Sequence, residues 1–302
     1  MMKHFINFDD FSNEEINTII NKAIELKAEH KIGKINNLMS NKTLGMIFDK
    51  SSTRTRVSFE AGMTQLGGHA LFLSEKDIQL GRGEPLEDSA IVISSMVDMV
   101  MLRISSHKDI ELFANNSSVP VINALSDDSH PCQLLADMMT FKEHIGEISG
   151  KTVAWIGDGN NMCQTYMQAS KVMNFNLKIA CPSAYQPNKD FIKKYSDSIE
   201  LLTNPQDAAK NVDLIVTDVW ASMGQEKEQN KRLKDFDGYQ VNKKLMDTAN
   251  NGAIFMHCLP AHRGEEVLAE IIDGDQSVVW DEAENRLHVQ KALMLNLLNK
   301  YQ

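Results

Sequence analysis

Six consecutive residues, Ser51-Ser52-Thr53-Arg54-Thr55-Arg56, all donate hydrogen bonds and none carries a negative charge. Before them stands an apolar run at 44–48, short enough for a buried strand. After them Phe59, Met63 and Leu66 recur at helical spacing, stopped by Gly67 and Gly68. A strand that turns into a helix through such residues aims backbone N–H groups, hydroxyls and guanidinium groups at one point. That is an anion site, and phosphate is its natural guest. A helix start with Ser/Thr caps and two solvated arginines would explain one hydroxyl and leave the other donors to coincidence.

Further polar clusters follow. His130-Pro131-Cys132-Gln133 precedes an apolar helix, and its His and Gln can each donate to a carbonyl oxygen while the proline fixes the helix start. Arg103 stands near the end of another apolar run. The segment Gly157-Asp158-Gly159-Asn160-Asn161-Met162 invites a dinucleotide-binding reading. A glycine is needed where Met162 stands, and the next strand ends in Ala180-Cys181-Pro182-Ser183 with no acid for a ribose, so amide recognition of a small polar ligand fits better. Asp218 at a strand tip, followed by Ala221-Ser222-Met223-Gly224, suits an ammonium group. At His257-Cys258 an extended backbone sends the two side chains to opposite faces, so they cannot form a nucleophilic dyad. No spacing suits a four-coordinate zinc site, and Arg286 alone would be a solvated helix residue.

The elements that must position these groups alternate. Ser12-Asn13-Glu14-Glu15 fits a capping box, and the first helix is expected to run to about His30. Strands are expected at 44–48, 70–73, 97–104, 119–125, 152–156, 177–180, 214–219 and 253–259. Helices start near Leu86, Ser106 and Leu134, and a last one covers 284–299. The Gly-rich stretch 74–85 reads as a loop. Strand–helix alternation restarts after Gly146–Gly150. The expected fold is therefore α/β: two doubly wound domains, each with a central parallel sheet, covering 1–145 and 146–282. Residues 283–302 form a C-terminal helix that could pack back on the first domain. Ligands of such sheets sit at the carboxyl ends of strands, so the clusters could converge on an active site in the interdomain cleft.

Composition bounds the rest. With 302 residues the chain can bury a substantial core, and its net charge of −10, from 31 basic and 41 acidic residues, argues against nucleic acid or an anionic membrane as partner. An anionic ligand must then be held by a local concentration of arginines. No stretch approaches the ~20 apolar residues of a membrane span, and the N-terminus lacks an apolar signal core. The scattered cysteines, Cys132, Cys163, Cys181 and Cys258, form no disulfide framework, which points to the cytoplasm.

Taken together, these motifs resemble the carbamoyltransferase family. SSTRTR, LRISSH, HPCQLLAD, GDGNNM, DVWASMG and HCLPAHRGEEV stand in that family's order across nearly the whole chain, and the last two resemble its ornithine branch. The resemblance implies transfer of the carbamoyl group of carbamoyl phosphate to the δ-amine of L-ornithine, giving L-citrulline and phosphate. It implies no cofactor, metal or covalent intermediate. Ser52, Thr53, Arg54 and Thr55 would hold the phosphate, with Arg103 bridging to the carbonyl side. His130, Pro131, Cys132 and Gln133 would surround the carbamoyl group. Gln79, Arg286 and Cys258-Leu259 would complete that pocket, Gln79 in its own or a neighbouring subunit's site. Asn161, Asp218, Ser222 and Met223 would bind ornithine. Arg54, Thr55, Arg103, His130 and Cys258 are the implied catalytic residues. A cis Leu259–Pro260 peptide and a homotrimer, or a multiple of trimers, are also implied. One departure is that Gln164-Thr165 follows Cys163 where the ornithine branch usually has Asn-Ser. Rival readings are a carbamoyltransferase for putrescine or an acylated ornithine, and a nucleotide-dependent oxidoreductase. Residue types do not say whether the reaction serves arginine synthesis or breakdown.

Overall fold

The computed structural model describes residues 3–49, 51–74, 83–221 and 228–300. The chain divides into two compact units, Met1–Met139 with Glu284–Gln302, and Thr140–Ala283.

In the first unit the helix α1 (Asn13–Lys31) opens with the expected capping box: the Ser12 hydroxyl accepts from Glu15 N, and the Glu15 carboxylate accepts from Ser12 N at 2.9 Å. There follow β1 (Thr43–Phe48), α2 (Thr53–Gln65), β2 (His69–Ser74), α3 (Leu86–Ser94), β3 (Met99–Arg103), α4 (His107–Asn116), β4 (Val121–Leu125) and α5 (Pro131–His144). The sheet is parallel with order β2-β1-β3-β4. Strands β1, β3 and β4 are buried along nearly their whole length without alternation, as a sheet covered on both faces requires. Ile47, Val100, Leu102 and Val121 pack there with Ile110 and Phe113 of α4.

In the second unit run β5 (Thr152–Ile156), α6 (Asn161–Met173), β6 (Asn176–Ala180), α7 (Lys189–Lys194), β7 (Ile199–Leu202), α8 (Pro205–Ala209), β8 (Leu214–Thr217), α9 (Gln229–Asp235), α10 (Lys243–Met246), β9 (Ile254–His257) and α11 (Ala269–Ile272). The last helix, α12 (Val279–Leu297), begins here and ends in the first unit. This sheet is also parallel, in the order β7-β6-β5-β8-β9.

Each sheet has one place where successive strands depart in opposite directions: between β1 and β3 in the first unit, between β5 and β8 in the second. Ligands of doubly wound sheets bind at such switch points. Registers align the relevant strand ends. Phe48 faces Arg103, and Thr217 faces His257.

Several expected boundaries shift. Strand β7 was not anticipated, since its four residues at a half-exposed sheet edge carry no alternation. Helix α5 starts at Pro131, three residues before the expected Leu134, because proline occupies its first turn and the polar His130–Gln133 stretch hides the period. Strands β8 and β9 end at Thr217 and His257, so Asp218 and Cys258 stand just beyond strand tips. Helix α12 begins at Val279 with Asp281 and Glu282 in its first turn, ahead of the expected Glu284.

Candidate active site

The first half-site is built where β1 passes into α2. Ser52 has an extended backbone and caps α2, its hydroxyl accepting from Thr55 N at 3.4 Å. Thr55 is buried in the first turn of the helix. Its Oγ1 accepts from Arg103 Nη1 at 3.2 Å and from Arg286 Nη2 at 3.3 Å. Arg103 ends β3, the strand across the switch point. Arg286 comes from α12 and also donates to Gln133 Oε1 at 2.6 Å; Gln133 in turn donates to Asp137 Oδ1 at 2.9 Å. This chain ties β3, α2, α5 and α12 together within one unit.

His130, just ahead of α5, is buried. Burial, reinforced by the positive fields of Arg286, Arg103 and Arg54, holds its imidazole well below the ordinary histidine range. It is therefore neutral near pH 7, able to offer an N–H donor without adding a charge. Arg54 is half-buried, while Ser51 and Thr53 are exposed. Cys132 is fully buried with its thiol against Asn123 O at 3.4 Å, and burial pushes its pKa up to about 12, so it stays a thiol. Arg56 does not join the cluster, contrary to a reading in which both arginines converge. Its Nε donates to Glu60 Oε1 at 2.9 Å and its guanidinium lies 3.9 Å from the centre of the Phe72 ring, because Arg56 falls on a different face of α2 from Thr55.

Three residues outside the expected set support this half-site. Asp49 accepts from Ser105 N at 2.6 Å and Ser105 Oγ at 2.8 Å, joining the segments that leave β1 and β3. Asp137 holds Gln133, and it follows Gln133 by four residues on α5, a helical spacing visible in HPCQLLAD. Gln290, with its amide oxygen turned to the guanidinium, accepts from Arg286 Nε and Nη2 at 3.2 Å and donates to Ser58 Oγ at 2.6 Å. Gln290 lies four residues beyond Arg286 on α12, so helical spacing was its one available signal.

The second half-site surrounds Asp218, which is buried just past β8. Its Oδ2 accepts from Asn160 Nδ2 at 2.8 Å, and its Oδ1 accepts from Val219 N at 2.8 Å and from the Cys258 thiol at 3.2 Å. Asn160 also caps α6 through Met162 N and Cys163 N, so one side chain fixes both the helix start and the acid. Asn161, the expected ligand, begins α6 and is half-buried. The departing residues have local roles: Gln164 Oε1 accepts from Asn188 N at 3.0 Å, and Thr165 Oγ1 donates to Asn161 O at 2.6 Å. Arg232 of α9 braces the turn, donating at 2.7 Å to both Asp158 Oδ2 and Trp220 O. Burial still raises Asp158 to about 6, with Asp218 adding and Arg232 opposing.

The segment after β9 is held by a buried pair. His257 Nδ1 accepts from Leu259 N at 2.9 Å, which leaves Nε2 to carry the proton shared with Glu266 Oε1 at 3.1 Å. The carboxylate also accepts from His262 N at 2.6 Å, and the His257 N–H donates to Glu282 Oε2 at 2.9 Å. These bonds keep Leu259 at φ +54°, a left-handed backbone that a branched side chain resists. The Leu259–Pro260 peptide is cis, as expected. His257 and Cys258 thus have separate partners and make no dyad. Asp218, His257 and Cys258 bring ligand atoms within 4.8 Å of one another, but both imidazole nitrogens are already engaged in hydrogen bonds. Gln79, Ser222 and Met223 lie outside the described residues.

Two sequence-family models divide the chain in the same way as its chemistry. Residues 3–143 match the aspartate/ornithine carbamoyltransferase carbamoyl-P binding domain, and residues 149–297 match the Asp/Orn binding domain of that family. The chain belongs to the aspartate/ornithine carbamoyltransferase family. Among relatives in this family, an ornithine carbamoyltransferase of Ruthia magnifica subsp. Calyptogena magnifica is 70% identical over 299 residues, spanning 99% of this chain and 100% of that one. Another from Hydrogenovibrio crunogenus is 61% identical, with 99% of each covered. The solved ornithine carbamoyltransferase of Burkholderia thailandensis matches with a TM-score of 0.93 at 49% identity, covering 100% of both chains. That of Campylobacter jejuni, titled as anabolic, matches with a TM-score of 0.91 at 44% identity over 99% of each. The family's fold, two parallel-sheet α/β domains, is the one found here.

Proposed function

We propose that this chain is an ornithine carbamoyltransferase: it transfers the carbamoyl group of carbamoyl phosphate to the δ-amine of L-ornithine, giving L-citrulline and phosphate. The observation that carries the reading is the cluster on Thr55, where Arg103 and Arg286 are fixed beside a neutral His130 at the start of α2. Attack of the amine on the carbamoyl carbon makes an oxyanion and expels phosphate. Donors already in place stabilise that charge, and losing one such donor typically costs roughly 10²–10³ in rate.

Arg54, Thr55, Arg103 and His130 take the stabilising roles, and Ser52, Thr53, Gln133 and Arg286 complete the phosphate and carbamoyl contacts. Pro131, Cys132 and Leu259 shape the pocket, and Gln79 is assigned to it by resemblance. Asp218 with Asn161, Ser222 and Met223 takes the two α-substituents of ornithine. Cys258, whose thiol donates to Asp218, completes the carbamoyl phosphate pocket with Leu259 and is assigned a catalytic role. The attacking amine must be neutral, although an ordinary lysine-like amine has a pKa of about 10.4; the arginines and desolvation lower it. No covalent intermediate is invoked. Residues 1–145 are assigned to the donor and 146–282 to the acceptor.

A homotrimer is part of this reading. It is supported by apolar side chains left exposed in the first unit: Val57 on α2, Leu71 and Phe72 on β2, and Ile91, Val92 and Met96 in or just after α3. The cytoplasm is the proposed location, and among the described residues no helix is long and apolar enough to cross a membrane.

The deciding assay measures carbamoyl transfer from carbamoyl phosphate to ornithine, putrescine and acetylornithine in parallel. Citrulline formation should dominate. Comparable turnover of putrescine would remove the role given to the carboxylate-binding residues, and faster turnover of acetylornithine would reassign the acceptor.

A further inference from the structure

Away from the half-sites, α12 carries a second unusual cation. Lys291 is almost wholly buried against α1 and α2. Its stem lies along Gly62 of α2, where even a methyl group would meet Lys291 Cγ at 3.2 Å. Its ammonium has a neutral partner, Nζ donating to Gln65 Oε1 at 3.0 Å. Lys27, His30 and Lys31 on α1 act together with Lys291 on the His288 imidazole, one turn back on α12. Glu29 is the charge that acts on Lys291 itself, and it is paired with Lys34. Beside Lys291 opens a pocket of about 260 Å³, lined also by Glu29, His30, Lys34, Asn36, Asn37 and Gln65. Burial brings the Lys291 ammonium down to about 8, with Glu29 pulling the other way. A lysine so placed holds a useful fraction of free amine near neutral pH.

We propose that Lys291 is a carbamoylation site, its ε-amine adding to isocyanic acid that enters through this pocket. The amine lone pair forms the new N–C bond, the C=N π pair of HN=C=O accepts the proton that the amine gives up, and the product is a urea. There is no leaving group and no redox partner. The neutral three-atom electrophile is small for the space. Its supply rests on the reading under Proposed function, because carbamoyl phosphate in water eliminates to cyanate and phosphate. The reactivity of Lys291 does not rest on that reading. Carbamoylation removes a buried charge while keeping an N–H for Gln65.

The test treats the full chain with cyanate over a pH series and reads each lysine by peptide mass spectrometry. At pH 7 Lys291 should react about tenfold or more faster than the exposed Lys243, whose pairing with Asp247 holds it protonated. Amine and isocyanic acid titrate in opposite senses, so the rate should stay level and then fall once pH passes the amine's own pKa. For Lys291 that break is expected near 8, against about 10.4 for an ordinary lysine. Glu29→Gln should lower the break and speed the reaction, a shift that mere exposure would not produce. Selective labelling supports the proposal even in a preparation that forms no citrulline. A Lys291 that labels no faster than Lys243, or breaks near 10.4, in a preparation that does form citrulline overturns it.

Discussion

Around Thr55 hydrogen bonds run from two guanidinium groups into neutral oxygens, whereas around Asp218 they run from neutral donors into one carboxylate. Both half-sites occupy the same position in their sheets, just past the strands that flank a switch point. The fold therefore supplies the location twice, and the side chains alone decide the sign of the guest. The first half-site concentrates donors and positive charge, which suits an anion. The second leaves a negative charge shared among neutral partners, which suits an ammonium group. Identical architecture with opposite electrostatics is what a reaction between an anionic donor and an aminated acceptor requires.

That contrast can be broken from either side. Arg54→Ala should have the largest effect, lowering turnover by roughly 10²–10³ or more and abolishing calorimetric binding of carbamoyl phosphate while the far-ultraviolet spectrum is unchanged. Normal binding would remove this arginine from the donor half-site. Asp218→Asn should act on the other partner, lowering kcat/KM for ornithine by roughly 10- to 100-fold with carbamoyl phosphate affinity within about twofold of the original. If both substrates weaken together, the half-sites are not separable in the way their charges indicate. The smallest effect concerns the cost of concentrating cations in the first unit. His288 is fully buried, neither ring nitrogen has a hydrogen-bond partner among the described residues, and burial beside Lys291 and Lys27 depresses it to about 3. The unfolded chain protonates this histidine below about 6.5, but the folded chain does so only near 3, so stability present above 6.5 is lost as pH falls between those values. His288→Gln should reduce the drop in urea stability from pH 7 to pH 5 by up to about 2 kcal/mol; an unchanged drop would place the acid sensitivity elsewhere.

Much of this was legible in the chain. Buried parallel strands leave continuous apolar runs, so β1, β3, β4 and β5 could be read, and the donors of SSTRTR were recognisable because helix starts rarely gather so many. What escaped was whatever depends on tertiary direction. Arg54 and Arg56 are equivalent as letters, yet the charge of one reaches His130 and the other lies over Phe72. Asn160 and Asn161 likewise stand side by side in GDGNNM, but only the three-dimensional cap reveals that Asn160 holds Asp218. Gln290 had no chemical signature, since an amide among helix residues is ordinary until a guanidinium is found beside it. Strand β7 failed for a simpler reason: four residues at a sheet edge carry too little pattern to register.

The Thr55 hydroxyl has a further consequence. A hydroxyl has two lone pairs and one proton, and here two guanidinium groups draw on the lone pairs. Its one remaining role is as a donor, through the proton. A phosphate oxygen that has gained a proton offers the wrong end of the bond. The site thus favours the dianion, and its grip should loosen as the phosphate dianion takes up a proton near pH 6.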